Sequence, residues 1–269
     1  MKFPIAVQLY SVRWQMQEDF EGTVKKVKEM GYDGVEFAGL FGKSAAEVKA
    51  LCEEIGIVPI SAHVSYAEMT GNPDTLKTYA EIGCKYIVVP HMSADKLPGG
   101  PEYDTFAANL KKLGAEANSL GMKLCYHNHD FEFEKVDGEY KLDIIYNDID
   151  SSLLETEIDT CWVNVGGENP ADYIRKYKDR TNIIHLKDFA GKKSDNMYAL
   201  IGVDDDKEKE APAEFEFRPV GDGYQNFPEI LKAAEEVDAK WVVVEIDNPS
   251  KGLTPFECIE KSINYLKSL

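Results

Sequence analysis

Residues 102–130 read EYDTFAANLKKLGAEANSLGMKLCYHNHD and contain one complete structural unit. Phe106, Leu110, Leu113 and Ala117 recur at three- and four-residue spacing, the period of a helix with one buried face. Gly121 then supplies a left-handed helix end. The apolar run 122–127 follows as a short strand that stops at a polar cluster, His127-Asn128-His129-Asp130. The same helix, glycine turn and strand recur in EMGYDGV, EIGIVPI and EIGCKYI.

Extended along the chain, this reading gives eight strands at 4–10, 33–37, 57–63, 85–90, 122–127, 154–159, 181–187 and 241–246. Eight helices are predicted at 19–30, 44–55, 73–82, 102–120, 140–149, 170–178, 226–238 and 255–267. Most of the strands are continuous apolar runs, as expected of a parallel sheet buried on both faces. Eight such units without a Pro/Gly/Ser-rich linker predict an α/β fold, a single (β/α)8 TIM barrel over residues 1–269, rather than an open doubly wound sheet. GxGxxG and GxxxxGK[ST] are both absent, so neither a dinucleotide nor a P-loop site is expected.

One connection breaks the rhythm. Almost forty residues separate Asp188, after the seventh strand, from Phe227. A connection of that length is usually functional. Its acidic run DDDKEKE (204–210) reads as a solvated loop tip, and FRPVGDG (217–223) as a segment reaching back toward the pocket with Arg218.

Composition narrows the function classes. The 269 residues are 43% hydrophobic and 11% aromatic, enough for a sizeable core. A net charge of −18 opposes duplex nucleic acid, which is bound through Lys and Arg on phosphates. No apolar run is long enough to span a membrane, and the N-terminus lacks a signal-peptide pattern, so a cytoplasmic location is expected. Cys52, Cys84, Cys125, Cys161 and Cys258 show no CxxC spacing and read as reduced core residues.

All five histidines end strands: His63, His91, the pair His127 and His129, and His185. Glu36, Asp159 and Glu245 end others. Strand C-termini of a β/α barrel converge on the face that carries the active site. Any one of these residues alone reads equally well as a hydrogen-bonded structural residue, a helix cap or a partner of lysine. Together, His127, Asp159, His185 and Glu245 from four neighbouring strand ends form a mixed imidazole and carboxylate set suited to a divalent ion (Mn, Co, Zn or Mg).

The segments YHNHDFEF, EIDTCWVNVGG, NIIHLKD, FRPVGDG and WVVVEID, in this order, resemble the sugar phosphate isomerase/epimerase family. That family has a xylose isomerase-like TIM barrel, related to the AP endonuclease barrel and to dehydroshikimate and inosose dehydratases. The resemblance runs from AVQLYSVR to the final helix, and HLKD with the Glu after the last apolar strand is its most specific part. It implies a metal held by Asp159, His185 and Glu245 plus a fifth-strand ligand. Many members have a glutamate there; this chain has His127, followed by His129 and Glu132 as alternatives. In ketose 3-epimerases two glutamates act as paired acid and base, a symmetry that His127 breaks.

The activity expected is a metal-dependent sugar isomerase or epimerase. It would abstract a proton next to a carbonyl and pass through an enediolate, with the ion as Lewis acid. Glu245, His127, His129 and Lys187 are the catalytic candidates. Glu36, His63, His91, Trp14, Trp162 and Arg218 are the candidates for binding substrate, the two tryptophans by stacking on a sugar face. Dehydration of a keto-sugar or polyol shares the same intermediate and is the alternative. A non-catalytic sugar-binding barrel is a further reading, and an endonuclease is disfavoured by the acidic balance. The implied partner is a small sugar or polyol, and the family resemblance also implies a homo-oligomer.

Overall fold

The computed structural model describes residues 2–192 and 215–269. Eight parallel strands close into a barrel: β1 (Ile5–Gln8), β2 (Gly34–Phe37), β3 (Val58–His63), β4 (Tyr86–Val89), β5 (Lys123–His127), β6 (Glu155–Asp159), β7 (Thr181–Leu186) and β8 (Trp241–Val244). Each strand pairs with its sequence neighbours and β8 closes onto β1 through Ile5↔Val242, Ala6↔Val243 and Val7↔Val244. This is a TIM barrel, and every strand prediction overlaps an observed strand.

The helices that follow the strands are amphipathic and cover the sheet from outside. Helix Tyr103–Ser119 buries Phe106, Leu110, Leu113 and Ala117, the four residues whose spacing predicted it. Gly31, Gly56, Gly83 and Gly121 take φ values of 67° to 110° where helices turn back into strands, a conformation with little steric cost only for glycine. Among the described residues three short α-helices were not anticipated: Arg13–Glu18, Tyr66–Gly71 and Thr160–Val165. The last follows directly from β6, and Asp159 caps it by accepting the Trp162 N–H at 3.0 Å. All five cysteines are buried and free.

The barrel interior is divided by depth. At one level Ala6, Ile60, Ile183 and Val243 pack as a small apolar plug. Two residues further along their strands, Gln8, His185 and Glu245 occupy the next inward positions, because side-chain direction repeats every second residue. On β3 a register shift against β2, where Val35 pairs with Pro59 but Glu36 with Ser61, inserts Ile60 as an extra residue. Such a bulge resets the alternation. It lets β3 supply Ile60 to the plug while Ser61 and His63 join the polar level. The upper half of the barrel is therefore lined by titratable groups.

After β7 the chain leaves the barrel as Asp188–Ala190, which pairs antiparallel with Glu216–Arg218. The Asp188 carboxylate accepts N–H bonds from Phe189, Gly221, Gly223 and Gln225 at 2.9–3.1 Å. A side chain at Gly223 would meet Asp188 Oδ1 at 2.3 Å, so the close wrap needs glycine there. FRPVGDG thus anchors the hairpin through its backbone and does not carry Arg218 into the pocket, as the sequence had led us to expect. The acidic run 204–210 lies outside the described residues. Among the described residues no helix is long and apolar enough to cross a membrane.

Candidate active site and metal centre

The polar end of the barrel opens into a cavity of about 230 Å³ lined by Tyr10, His63, His91, His127, His129, Lys187, Glu245 and Asp247, with Ala38 and Pro90. Among the described residues, five buried carboxylates, those of Glu36, Glu157, Asp159, Glu245 and Asp247, lie in or just beneath it with a single lysine.

Lys187 is 1% exposed. Its ammonium lies 2.8 Å from Asp247 Oδ2, 3.0 Å from Glu245 Oε2 and 3.4 Å from Asp159 Oδ2. Burial alone would favour neutral lysine, but the three carboxylates outweigh it and hold the amine well above its ordinary range. Burial raises the Asp247 carboxyl to about 6 in spite of Lys187, whereas Lys187 and His185 hold Glu245 well below the usual carboxylate range against its own burial.

His127 and His185 each face carboxylates with both ring nitrogens. His127 Nδ1 is 3.1 Å from Glu157 Oε2, and its Nε2 is 3.6 Å from Asp159 Oδ2. His185 Nδ1 is 3.0 Å from Glu245 Oε2, and its Nε2 is 2.8 Å from Glu36 Oε1. The two rings respond differently. Burial, reinforced by His185 and His63, pushes the pKa of His127 well below that of free imidazole. His185 is driven well above it, because Glu157, Glu36 and Glu245 overcome burial.

This leaves one conflict. A neutral His127 has one N–H, and Glu157 accepts it. Its other nitrogen then turns a lone pair toward Asp159 Oδ2, a buried oxygen that makes no hydrogen bond among the described residues and has the Lys187 ammonium 3.4 Å away. Two facing lone pairs without a proton between them mark a place for a cation. Donor atoms of His127, Asp159, His185 and Glu245 lie within 4.8 Å of one another, as do those of His63, His127, Glu157 and His185. The first set is the one expected from sequence; the Asp159 oxygen without a hydrogen bond and the mixed donors fit a divalent ion there.

The turn after β5 is built to hold these residues. Asn128 accepts the Asp159 N–H at 3.0 Å and donates to the Asp159 carbonyl at 3.4 Å, pinning β5 to β6. Glu132 accepts the His129 N–H at 2.8 Å and lies 2.6 Å from the Tyr126 hydroxyl. It supports the turn from behind and does not line the cavity. His129 faces the cavity with its Nδ1 free of any hydrogen-bond partner among the described residues. Burial, with His127 and Lys187 nearby, keeps this ring neutral.

Burial raises Glu132 from 4.5 to about 8. The folded protein therefore binds this proton more tightly than the unfolded chain, and unfolding releases it between those two pH values. The stability this group contributes falls as pH rises through that window. Glu132→Gln, which keeps an acceptor for His129, is expected to flatten the stability profile between about pH 5 and 8. Urea denaturation at both ends of the window measures it; an unchanged slope would remove the assignment.

Other sequence-predicted residues behave differently. His63 and His91 line the cavity, and the His91 ring packs edge-on against His129 and Phe131 at 5.7 and 5.5 Å. Glu36 does not line the cavity. It is fully enclosed, accepting from Gln8 Nε2 at 2.7 Å and the Ser61 hydroxyl at 2.5 Å. Trp162 is completely buried beneath Lys187, whose ammonium is 5.3 Å from its ring, so it fills the barrel top. Trp14 is 44% exposed with its ring 3.8 Å from the Arg13 guanidinium, away from the cavity. Arg218 pairs with Glu216 at 2.8 Å on the hairpin. Glu157 and Asp247 were not anticipated, although each lies two residues from a residue that was.

The family model for the xylose isomerase-like TIM barrel matches residues 24–269. An inosose dehydratase from Clostridium beijerinckii is 27% identical over 93% of this chain and 90% of its own length. Among solved structures, a sugar phosphate isomerase/epimerase from Parabacteroides distasonis superposes with a TM-score of 0.79 at 23% identity, over 98% of both chains. A 3-keto-D-glucoside 4-epimerase from E. coli superposes at 0.68 and 18% identity, over the whole of both chains. With its closed barrel, its strand-end site and a match over nearly its full length, the chain belongs to the xylose isomerase-like TIM barrel family.

Proposed function

We propose that this protein is a divalent-metal-dependent dehydratase acting on an uncharged cyclic keto-polyol or keto-sugar, with His127, Asp159, His185 and Glu245 as the metal ligands. The observation that carries the reading is the donor cluster of His127, Asp159, His185 and Glu245, with His127 Nε2 3.6 Å from Asp159 Oδ2, beside a cavity whose remaining groups are unlike one another. A bound divalent ion would supply Lewis acidity toward a carbonyl oxygen and a neighbouring hydroxyl.

The chain's own residues divide the remaining work. His129 is neutral, buried and unpartnered at Nδ1, so it can accept the proton on the carbon next to the carbonyl. Lys187 carries a proton held in place by three carboxylates. As the carbon–oxygen bond to the β-hydroxyl breaks, Lys187 donates that proton and the hydroxyl leaves as water, while a carbon–carbon double bond forms. Elimination needs such an unlike base and acid; epimerisation through two equivalent carboxylates does not match this cavity. The relationship to inosose dehydratase over most of both chains supports the same order of preference, reversing that expected from sequence, where epimerase came first. The excess of buried carboxylate disfavours a phosphate group on the substrate.

The test combines two measurements on protein purified without chelators. Solvent deuterium should enter an inosose-type ketone at the carbon next to the carbonyl, and a dehydrated diketone should accumulate. Glu245→Gln should abolish both. Exchange without dehydration, giving the inverted epimer, would replace this reading by the epimerase. Metal-free protein with full turnover would end both.

A further inference from the structure

Beneath the four proposed ligands lies a second layer of charge that the reaction itself does not use. Glu36 and Glu157 are fully buried. Glu36 is gripped by Gln8 and Ser61, and His63 Nε2 ties the two carboxylates together, 2.6 Å from Glu157 Oε2 and 3.1 Å from Glu36 Oε1. The His63 ring lies parallel to that of His185 at 5.3 Å and edge-on to His127 at 5.0 Å. Each ligand imidazole thus turns its inner nitrogen to this layer: His127 Nδ1 to Glu157 and His185 Nε2 to Glu36.

We infer that Glu36 and Glu157, joined through His63, are positioning residues that keep the inner nitrogens of His185 and His127 as N–H donors, so that the outer nitrogens are the ones turned to one cation, His185 Nδ1 once the proton it shares with Glu245 has left. The inference rests on the ligand set proposed above. Its physical basis is that an imidazole has two nitrogens and the hydrogen bond made by one decides what the other can do. In the inner group of His63, His127, Glu157 and His185 the ring nitrogens are engaged by carboxylates at 2.6–3.1 Å, whereas in the outer set His127 Nε2 stands 3.6 Å from Asp159 and the set borders the cavity. The inner group is therefore a proton-filled layer, and the chain holds one ion rather than two.

The same arrangement explains the residue choice. Gln8 and Ser61 both donate to Glu36, so its carboxylate cannot rotate away from His185. A carboxylate fixed from two sides sets the ring angle as well as the tautomer.

The experiment measures zinc or cobalt stoichiometry and affinity by competition with a chromogenic chelator, for wild-type protein and for Glu157→Gln and Glu36→Gln. We expect one ion per wild-type chain and affinity 10–100-fold weaker in each variant, the usual effect of losing an outer partner of a metal-bound histidine. The visible spectrum of the cobalt form should shift in both, a readout that a general loss of stability would not produce. Thermal melts by circular dichroism identify a variant that fails to fold, and the other then carries the test. Two ions per chain, or folded variants with wild-type affinity and spectrum, would overturn the inference while leaving the ligand set intact. Wild-type protein that binds no divalent ion would remove both.

Discussion

Lys187→Met is expected to lower the stability of the metal-free protein by about 3–5 kcal/mol, the range found when one partner of a buried ion group is deleted. The ammonium is enclosed by Asp159, Glu245 and Asp247, and methionine fills its volume without its charge. For a chain of this size such a loss lowers the melting temperature by roughly 10 °C. The loss should shrink in acid, because Asp247 titrates near 6 even beside Lys187 and the variant can protonate it to relieve the repulsion. A divalent ion should also raise the melting temperature of the variant more than that of the wild type. The ion then replaces a missing counter-charge as well as filling its own site, and anything that binds only the folded state stabilises it by mass action. The two cations need not compete in the wild type: the tightest contact of Lys187 is with Asp247, outside the four-donor set. Equal melting curves for both proteins without metal would show that the lysine is not the counter-charge of this cluster. Dehydration should be lost in the variant, while exchange at the neighbouring carbon, which depends on His129, should persist.

The barrel was legible because eight apolar runs and their glycine-ended helices repeat one local pattern, and because strand ends in such a fold converge. Depth along the barrel was not legible. Glu36 reads as a strand-end acid like Glu245, yet the β3 bulge at Ile60 brings Ser61 beneath it, and with Gln8 it is sealed below the cavity. Glu157 and Asp247 carried a usable signal, since each is two residues from Asp159 or Glu245 and so shares its direction. The same alternation relates His127 to His129, and applied to the acids it would have found both. Trp14 and Arg218 failed for another reason: proximity to a strand end does not fix where a long side chain points. Local partners decided it, Arg13 for the tryptophan and Glu216 for the arginine.

Asp159→Asn separates function from stability most sharply. The substitution keeps the shape of the side chain and an oxygen to cap helix Thr160–Val165 through the Trp162 N–H. It replaces the oxygen that faces His127 Nε2 by an amide NH2, which can donate to that lone pair across the gap that measures 3.6 Å. The exchange trades the contact of this oxygen with the Lys187 ammonium, at 3.4 Å, for a donor toward His127. The metal-free variant should therefore be about as stable as the wild type, because Lys187 keeps its two shorter contacts, with Asp247 and Glu245. The same exchange removes a charged ligand, so divalent-ion affinity should fall at least as far as in the outer-layer variants, and turnover by on the order of 10³, as for loss of a group that acts on developing charge. Chemical denaturation without metal, metal titration and steady-state turnover on one preparation test all three. A folded variant with unchanged divalent-ion affinity would show that Asp159 is not a ligand, and with it would go the main physical reason for a cation between His127 and Asp159.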